Sequence, residues 1–297
     1  MRILSLLAAA GLLAACASAE APAEQAPVRA LSEILEQSPA SDWRAVDQNN
    51  LLYMQLPAGR VIIELAADYT PLHTTNIQAL ARAHYWDGAA IVRSQENYVV
   101  QWGRDEADPK PTGEATTTLA PEFDRARSGV QITRLPDPDS YAREVGFASG
   151  FPVASNGNRT WMAHCYGMVG AGRGDTADSG SGAELYVVIG HAPRHLDRNI
   201  ATVGRVLQGM ELLSTMPRGT GPLGFYETPG ERTTIQSVRL GSELPASERV
   251  NLEALRTDSA TFRDVIESRR FRRESWFLDP VGHINLCNVP LPVRVRS

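Results

Sequence analysis

The residues best suited to chemistry in this 297-residue chain are an arginine and a glutamine, Arg93 and Gln101, that bracket a short apolar run. Arginine carries a permanent charge and several N–H donors, and the glutamine amide both donates and accepts hydrogen bonds. The intervening Tyr98-Val99-Val100 is typical of a strand. We therefore expect the two side chains on adjacent strands, or on a strand and its turn, facing one apolar pocket. With one cation, one amide and no nucleophile, the pattern predicts a binding site that acts through hydrogen bonds.

Strand patterns dominate the elements that must hold this pair in place. Four segments are apolar or rich in β-branched residues and are bounded by turn residues: 59–65, 184–190, 201–206 and 234–240. Two helices are predicted, one beginning at Thr70 and Pro71 and one over residues 209–216. Residues 104–160 contain scattered prolines and many polar residues, which predicts a long loop with little regular structure. The fold class is therefore mainly β, with a closed sheet around a filled interior.

The bulk composition is that of an ordinary globular protein. Hydrophobic residues make up 43% of the chain and charged residues 21%, and the formal net charge is -5. A nucleic-acid-binding protein usually concentrates basic residues on one surface, so this mild negative charge argues against nucleic acid as a partner.

The first nineteen residues, 1–19, are predicted to be a targeting segment whose apolar run is too short to span a bilayer. Leu13-Ala14-Ala15-Cys16 resembles a bacterial lipobox, in which Cys16 is lipidated, whereas Ala17-Ser18-Ala19 fits ordinary signal cleavage; the lipobox is favoured. Either reading predicts export to the bacterial periplasm, with membrane contact only through an N-terminal lipid anchor. Residues 20–48 are rich in Ala, Pro, Glu and Ser and are predicted to be a tether.

A C-terminal extension, 245–297, is expected to follow the central domain at 49–244. Asp258 or Ser259 can cap a helix that carries Phe262, Val265 and Ile266 on one stripe. The basic run Arg269–Arg273 is expected to be a solvated helix face packed against acidic residues, with contact to anionic lipid or a partner as the alternative.

Two cysteines, Cys165 and Cys287, remain once Cys16 is acylated or removed. In an oxidising compartment an even pair permits a disulfide. Two buried, unpaired thiols are an equal alternative, because the sequence does not give the distance between them.

The order of segments across about half of the chain resembles the cyclophilin-type peptidyl-prolyl cis-trans isomerases. The resemblance covers residues 59–103, 161–219 and 233–244. It rests on a strand, a Thr/Pro-capped helix, an arginine strand, a Gln-x-Gly ending, a long loop, a Met-Ala strand, a Gly-rich loop, an apolar strand, a Val-Gly-x-Val strand and a Gly-Met helix. The resemblance implies a closed eight-stranded antiparallel barrel with two capping helices. It also implies isomerisation of X–Pro bonds in exported polypeptides, which assists their folding in the cell envelope.

The resemblance assigns a role to each matching residue. Arg93 corresponds to the catalytic arginine, and Gln101 to the glutamine that orients the substrate backbone. The other matching positions are expected to bind substrate, and they are Tyr98, Val99, Ala163, His164, Glu184, Tyr186, His195 and Ile200. Within this set, the backbone of the Ala-His pair is expected to hold the residue before proline.

Several pocket residues depart from the family pattern. Tyr98 and Tyr186 carry hydroxyls where the family has phenylalanines, and Val99 is smaller than the family's methionine. Glu184 replaces a glutamine, and an ion pair between Glu184 and Arg93 would weaken the arginine for substrate. Rotation about an X–Pro bond requires no nucleophile, so no metal or cofactor is expected. The sequence supports a prolyl isomerase, with a catalytically weak or inactive proline-peptide-binding chaperone or scaffold as the alternative.

Overall fold

The structure is a computed structural model that describes residues 29–105, 108 and 110–296. The predicted targeting segment, Cys16 and the first part of the predicted tether lie outside the described residues. No helix in the described ranges has the length and apolar character needed to cross a membrane.

Antiparallel strands form three sheets in the described part of the chain. In chain order the strands are β1 (Trp43–Ala45), β2 (Leu51–Leu56), β3 (Gly59–Leu65), β4 (Ala90–Ser94), β5 (Val99–Gly103), β6 (Arg125–Ala126), β7 (Thr133–Arg134), β8 (Glu144–Ala148), β9 (Phe151–Ser155), β10 (Arg159–Met162), β11 (Met168–Ala171), β12 (Leu185–Val188), β13 (Thr202–Gln208), β14 (Thr233–Thr234), β15 (Ser237–Leu240), β16 (Leu252–Leu255) and β17 (Val293–Val295). The α-helices are α1 (Leu31–Glu36), α2 (Pro71–Arg82), α3 (Met210–Ser214) and α4 (Ala260–Phe271).

The main sheet curls into a half-barrel of nine strands in the order β14-β4-β5-β12-β11-β13-β3-β2-β15. The mainly β fold class is confirmed, but the predicted closed barrel of eight strands is wrong. β14 and β15 follow each other in the chain and yet pair with β4 and β2 at opposite edges of the sheet. Between them, Ile235 donates a hydrogen bond to Ala89 (2.7 Å) and Gln236 donates one to Gln55 (2.9 Å). The two edges of the sheet therefore meet at a seam between β14 and β15. The chain crosses this seam by pairing first with β4 and then with β2, so no single ladder of hydrogen bonds closes the barrel.

The interior of the half-barrel is an apolar core covered at one end by α2. Ile77 and Leu80 of this helix are almost completely buried, as their helical spacing predicts. Pro71 occupies the first turn, where a missing N–H removes no intrahelical bond. The helix ends at Arg82 because His84 adopts a positive φ of 53°, which a continuing α-helix does not allow. It therefore ends before the turn residues Asp87-Gly88.

Residues 104–160 contain a second sheet where the sequence predicts a loop with little regular structure. Its strand order is β6-β10-β9-β8-β7. Pro136 and Pro138 lie between strands, whereas Pro152 lies inside β9 opposite Phe147. The prolines obscured the strand pattern, because a proline cannot donate a ladder hydrogen bond and normally argues against a strand.

The N-terminal and C-terminal segments form one unit around the third sheet, whose order is β1-β16-β17. Within the predicted tether the sequence allows a helical turn at 31–35, where α1 lies, but the segment is packed and not free, since Ile34 and Trp43 are buried and α1 packs against α4. In the predicted extension, the side chain of Ser259 caps α4 by accepting a hydrogen bond from the N–H of Phe262 (3.0 Å). Cys165 and Cys287 form a disulfide that ties this unit to the second sheet and the half-barrel.

Candidate active site

Arg93 and Gln101 lie opposite each other on the neighbouring strands β4 and β5. The register between these strands shifts next to Arg93, and this irregularity places the two long side chains on the same face. Nη1 of Arg93 donates a hydrogen bond to Oε1 of Gln101 (3.2 Å). The predicted arrangement on adjacent strands is therefore the one observed.

The Arg93 guanidinium is half-buried between two aromatic rings. Its central carbon lies 5.5 Å from the ring centre of Tyr98 and 5.1 Å from that of Phe225. Its Nε donates to the carbonyl of Leu223 (2.7 Å), and Nη2 donates to the side chain of Gln95. Burial lowers the pKa of Arg93 below its ordinary value, while its interaction with Tyr98 acts in the opposite direction. The result is a partly desolvated cation held in one orientation.

Glu184 contacts Gln101 instead of forming the ion pair with Arg93 that its charge would allow. Nε2 of Gln101 donates to Oε2 of Glu184 (2.7 Å). A Cβ at Gly103 would lie 2.8 Å from Cγ of Glu184, so the glycine lets this side chain pass over β5 beside Gln101. Because Glu184 accepts from the amide nitrogen, the amide oxygen is oriented toward Arg93. Glu184 thus fixes the orientation of Gln101 and leaves the guanidinium charge unpaired by its carboxylate.

The predicted apolar wall forms one cluster beside the arginine. Val99 and Tyr186 are buried in it together with Val188, and Tyr98 and Ile200 pack against it partly buried. The exposed ring of His195 stacks on Tyr98 with 6.1 Å between ring centres. The structure therefore brings these predicted pocket residues together, and their assignment as substrate contacts stays a prediction.

Ala163 and His164 lie next to this wall but are enclosed by the protein. The N–H of Ala163 donates to the carbonyl of Pro152 (2.9 Å), and its own carbonyl accepts from the N–H of Cys165 (2.8 Å). The N–H of His164 donates to Oδ1 of Asp197 (3.0 Å). Three of the main-chain groups expected to hold the residue before proline therefore already have partners within the chain: the N–H and carbonyl of Ala163 and the N–H of His164.

A buried chain of hydrogen bonds runs from Asp197 through His164 to Tyr186. Oδ1 of Asp197 lies 3.0 Å from Nδ1 of His164, and Nε2 of His164 lies 2.8 Å from the Tyr186 hydroxyl. Oδ2 of Asp197 also accepts from Nε of Arg194 (2.6 Å) and from the Trp161 indole (3.2 Å). Burial alone would raise the pKa of Asp197, but the hydrogen bond from His164 and the charge of Arg194 hold it below its ordinary value.

Phe225, Leu223 and Asp197 are the site residues that the sequence did not reveal. Phe225 and Leu223 follow a glycine-rich turn, and nothing in the local pattern indicates that this turn approaches Arg93, about 130 residues away in the chain. Asp197 follows Leu196 in a recognisable turn, but three of its four hydrogen bonds come from one other segment, residues 161–164, and the fourth comes from Arg194 in the same turn.

Comparison with known proteins gives a family and a fold. The sequence profile described as "Cyclophilin type peptidyl-prolyl cis-trans isomerase/CLD" matches residues 51–240. Cyclophilin AquaCyp293 from Hirschia baltica has a similar solved structure, with a TM-score of 0.65 and 23% identity over 86% of this chain and 94% of that chain. At this identity the likeness supports the fold alone.

A second solved structure is more distant. It is a cyclophilin type peptidyl-prolyl cis-trans isomerase of Cryptosporidium parvum, determined in the presence of the dipeptide Ala-Pro. It has a TM-score of 0.42 and 12% identity over 64% of this chain and 98% of that chain, and it carries no argument here. No curated protein sequence matches the chain.

Proposed function

The chain belongs to the cyclophilin-type peptidyl-prolyl cis-trans isomerase family, and we propose that it catalyses rotation about X–Pro bonds in exported polypeptides. The barrier to this rotation is about 20 kcal/mol, because the planar amide is stabilised by resonance. A catalyst has to bind the twisted amide, in which the proline nitrogen carries a localised lone pair, more tightly than the planar one.

The observation that carries this proposal is the setting of Arg93. A guanidinium has five N–H donors, and three are used by Leu223, Gln101 and Gln95. Among the described residues no partner takes the other two donors, so they are available to a substrate amide from a partly desolvated, fixed position. Preorganised donors of this kind stabilise charge that develops only in the transition state. Tyr98 and the apolar cluster behind it provide the surface against which a proline ring would pack.

A kinetic assay of cis-to-trans exchange in an Ala-Pro peptide tests the proposal. Arg93→Ala removes the donors, and we expect the rate enhancement to fall by about a hundredfold. Arg93→Lys keeps the charge but lacks the planar set of donors, so it is expected to restore little of the activity. Equal and negligible acceleration by wild type and Arg93→Ala would reject catalysis.

Export to the bacterial periplasm is part of the proposal. The predicted targeting segment at 1–19 supports it. The disulfide between Cys165 and Cys287 also supports it, since such bonds persist mainly in oxidising compartments. Mass spectrometry of the mature N-terminus separates a lipid-modified Cys16 from cleavage after Ala19.

A proline-peptide-binding chaperone without turnover is the second candidate. It is favoured by the internal partners of Ala163 and His164, because both main-chain N–H groups already donate within the chain and are not free to bind a peptide. This alternative predicts peptide binding that is lost in Tyr98→Ala, with no acceleration of exchange by wild type. Acceleration by wild type that Arg93→Ala abolishes would reject it.

A further inference from the structure

The loop after α4, residues 272–283, presents large apolar side chains to solvent. Trp276, Leu278 and Val281 are exposed to 81%, 97% and 83% of their full areas. The chain is fixed again directly after the loop, where the N–H of Ile284 donates to Asp137 (3.1 Å). Three large apolar side chains exposed within one short loop that is held at both ends indicate a surface that a partner or a membrane covers.

Arginines stand at the base of this loop. The Arg272 guanidinium lies 5.2 Å from the ring centre of Phe277, and that of Arg273 lies 4.9 Å from the ring centre of Phe271. Arginines stacked on aromatic rings keep their apolar stems near an apolar surface and their charge available to phosphate groups. The loop also carries two acidic residues: Glu274 pairs with Arg269 (3.6 Å), and Asp279 follows Leu278. An apolar tip with two arginines at its base is complementary to the boundary between acyl chains and anionic headgroups of a bilayer.

The N-terminal end of the described chain lies on the same helix. The carbonyl of Arg29 accepts a hydrogen bond from Oγ of Ser268 (3.4 Å), and the Arg29 side chain pairs with Asp264. Cys16 precedes Arg29 by 13 residues, so an extended segment between them reaches about 45 Å. An anchor at Cys16 would therefore keep the end of the molecule at α4, which carries the loop, within about 45 Å of the membrane.

We propose that the loop 272–283 docks on the surface of an anionic phospholipid bilayer. Trp276 and Leu278 enter the boundary of the acyl chains, and Arg272 and Arg273 contact headgroup phosphates. The inference rests on the proposed export for access to this membrane, and it uses no part of the isomerase chemistry.

Vesicle binding by the mature chain from residue 20, the form that cleavage after Ala19 leaves, tests the proposal without an acyl group. Vesicles of phosphatidylglycerol and phosphatidylcholine are compared with vesicles of phosphatidylcholine alone, and the bound fraction is measured by sedimentation. Trp276 is the only exposed tryptophan, because the other four, all within the described residues, are buried: Trp43, Trp86, Trp102 and Trp161. A blue shift of tryptophan emission on binding therefore reports the insertion of this loop.

Two double variants separate the apolar from the ionic contribution. Trp276→Ser with Leu278→Ser is expected to weaken binding to anionic vesicles by at least about tenfold. Arg272→Gln with Arg273→Gln is expected to weaken it by about fivefold per arginine and to reduce its salt dependence. Leu72→Ser removes a half-exposed leucine from α2 and serves as the matched control, with unchanged binding expected. Unfolding temperatures of all variants are expected to match wild type, since none of the altered residues is buried.

Three results would overturn the proposal. They are no binding to anionic vesicles, binding without a change in tryptophan emission, and an equal loss of binding in the Leu72→Ser control. Self-association through the loop in place of vesicle binding would also overturn it in favour of a protein contact. Because the vesicle assay contains no proline peptide, its failure is distinguishable from failure of the isomerase assay.

Discussion

The two sides of the candidate pocket are built in opposite ways. On the open side, Arg93, Gln101 and Glu184 form a short hydrogen-bonded chain that ends at the protein surface. On the closed side, Asp197, His164 and Tyr186 form a chain of similar length, but its two rings are buried. On the open side, Arg93 has two N–H donors without a partner among the described residues. On the closed side, the polar side chains are hydrogen-bonded to one another.

This difference separates stability from activity. A buried polar network whose members are all paired rigidifies the protein, and it becomes costly when one member is removed. The open side is partly solvated, so a change there has little effect on folding and acts on the orientation of the guanidinium. Substitutions on the two sides are therefore expected to affect different measurements.

The largest effect is expected from Asp197→Ala, on the closed side. The substitution leaves buried Arg194, His164 and Trp161 without their shared acceptor. Removing one partner of a buried ion pair costs about 3–5 kcal/mol of the free energy of unfolding. Chemical denaturation monitored by circular dichroism measures this loss. A loss comparable to that of an exposed substitution would show that the closed side is not a structural network.

Acidic pH is expected to remove the contribution of Asp197 to the free energy of unfolding. The pKa of Asp197 is lowered in the folded protein, so its stabilising effect is present above the unfolded value of about 3.9 and is lost as the pH falls through the folded value. The difference in unfolding free energy between wild type and Asp197→Asn should be constant near neutral pH and should shrink below about pH 4. Denaturation curves at several pH values measure it, and a difference that grows in acid would contradict this assignment.

A moderate effect on activity is expected from Phe225→Ala, on the open side. The substitution removes one of the two rings that hold the Arg93 guanidinium. A cation–π contact contributes about 0.5–2 kcal/mol, so catalytic efficiency should fall by roughly twofold to thirtyfold. Unfolding free energy should change little, because Phe225 is exposed. Peptide exchange kinetics and denaturation of the same preparation check both statements, and a large loss of stability would undo the distinction between the two sides.

The smallest effect is expected from Glu184→Gln. The new amide still offers an oxygen to Nε2 of Gln101, so the orientation of Gln101 toward Arg93 is retained. Catalytic efficiency is expected to stay within about threefold of wild type, since the variant keeps a hydrogen bond at this partly buried position and loses only the charge of the acceptor. An increase above about tenfold in the same kinetic assay would mean that the Glu184 charge suppresses the arginine after all.

Local patterns predicted the open side better than the closed side. Arg93 and Gln101 were placed on neighbouring strands because two short apolar runs with a polar break between them define those strands. The role of Asp197 was missed because Trp161 and His164 lie more than 30 residues before it in the chain. Phe225 was missed for the same reason, since its approach to Arg93 depends on where a glycine-rich turn lies in space.

The fold shows the same limit. The mainly β character follows from strand composition, and the buried stripe of α4 follows from helical spacing. The open seam of the main sheet depends on a change of pairing partner at Ile235 and Gln236, and an isolated strand pattern does not encode its partners. The second sheet was missed because proline appears inside it, at position 152 in β9.

Exchange spectroscopy by nuclear magnetic resonance tests the central claim most directly, because it detects binding and turnover of one Ala-Pro peptide in the same sample. With a catalytic amount of wild-type protein, we expect exchange cross-peaks between the cis and trans signals of the peptide. The uncatalysed exchange takes tens to hundreds of seconds and gives none. Arg93→Ala should abolish these cross-peaks while the peptide signals still shift on binding. Shifted signals without exchange cross-peaks in the wild-type sample would contradict the account and identify a binding protein.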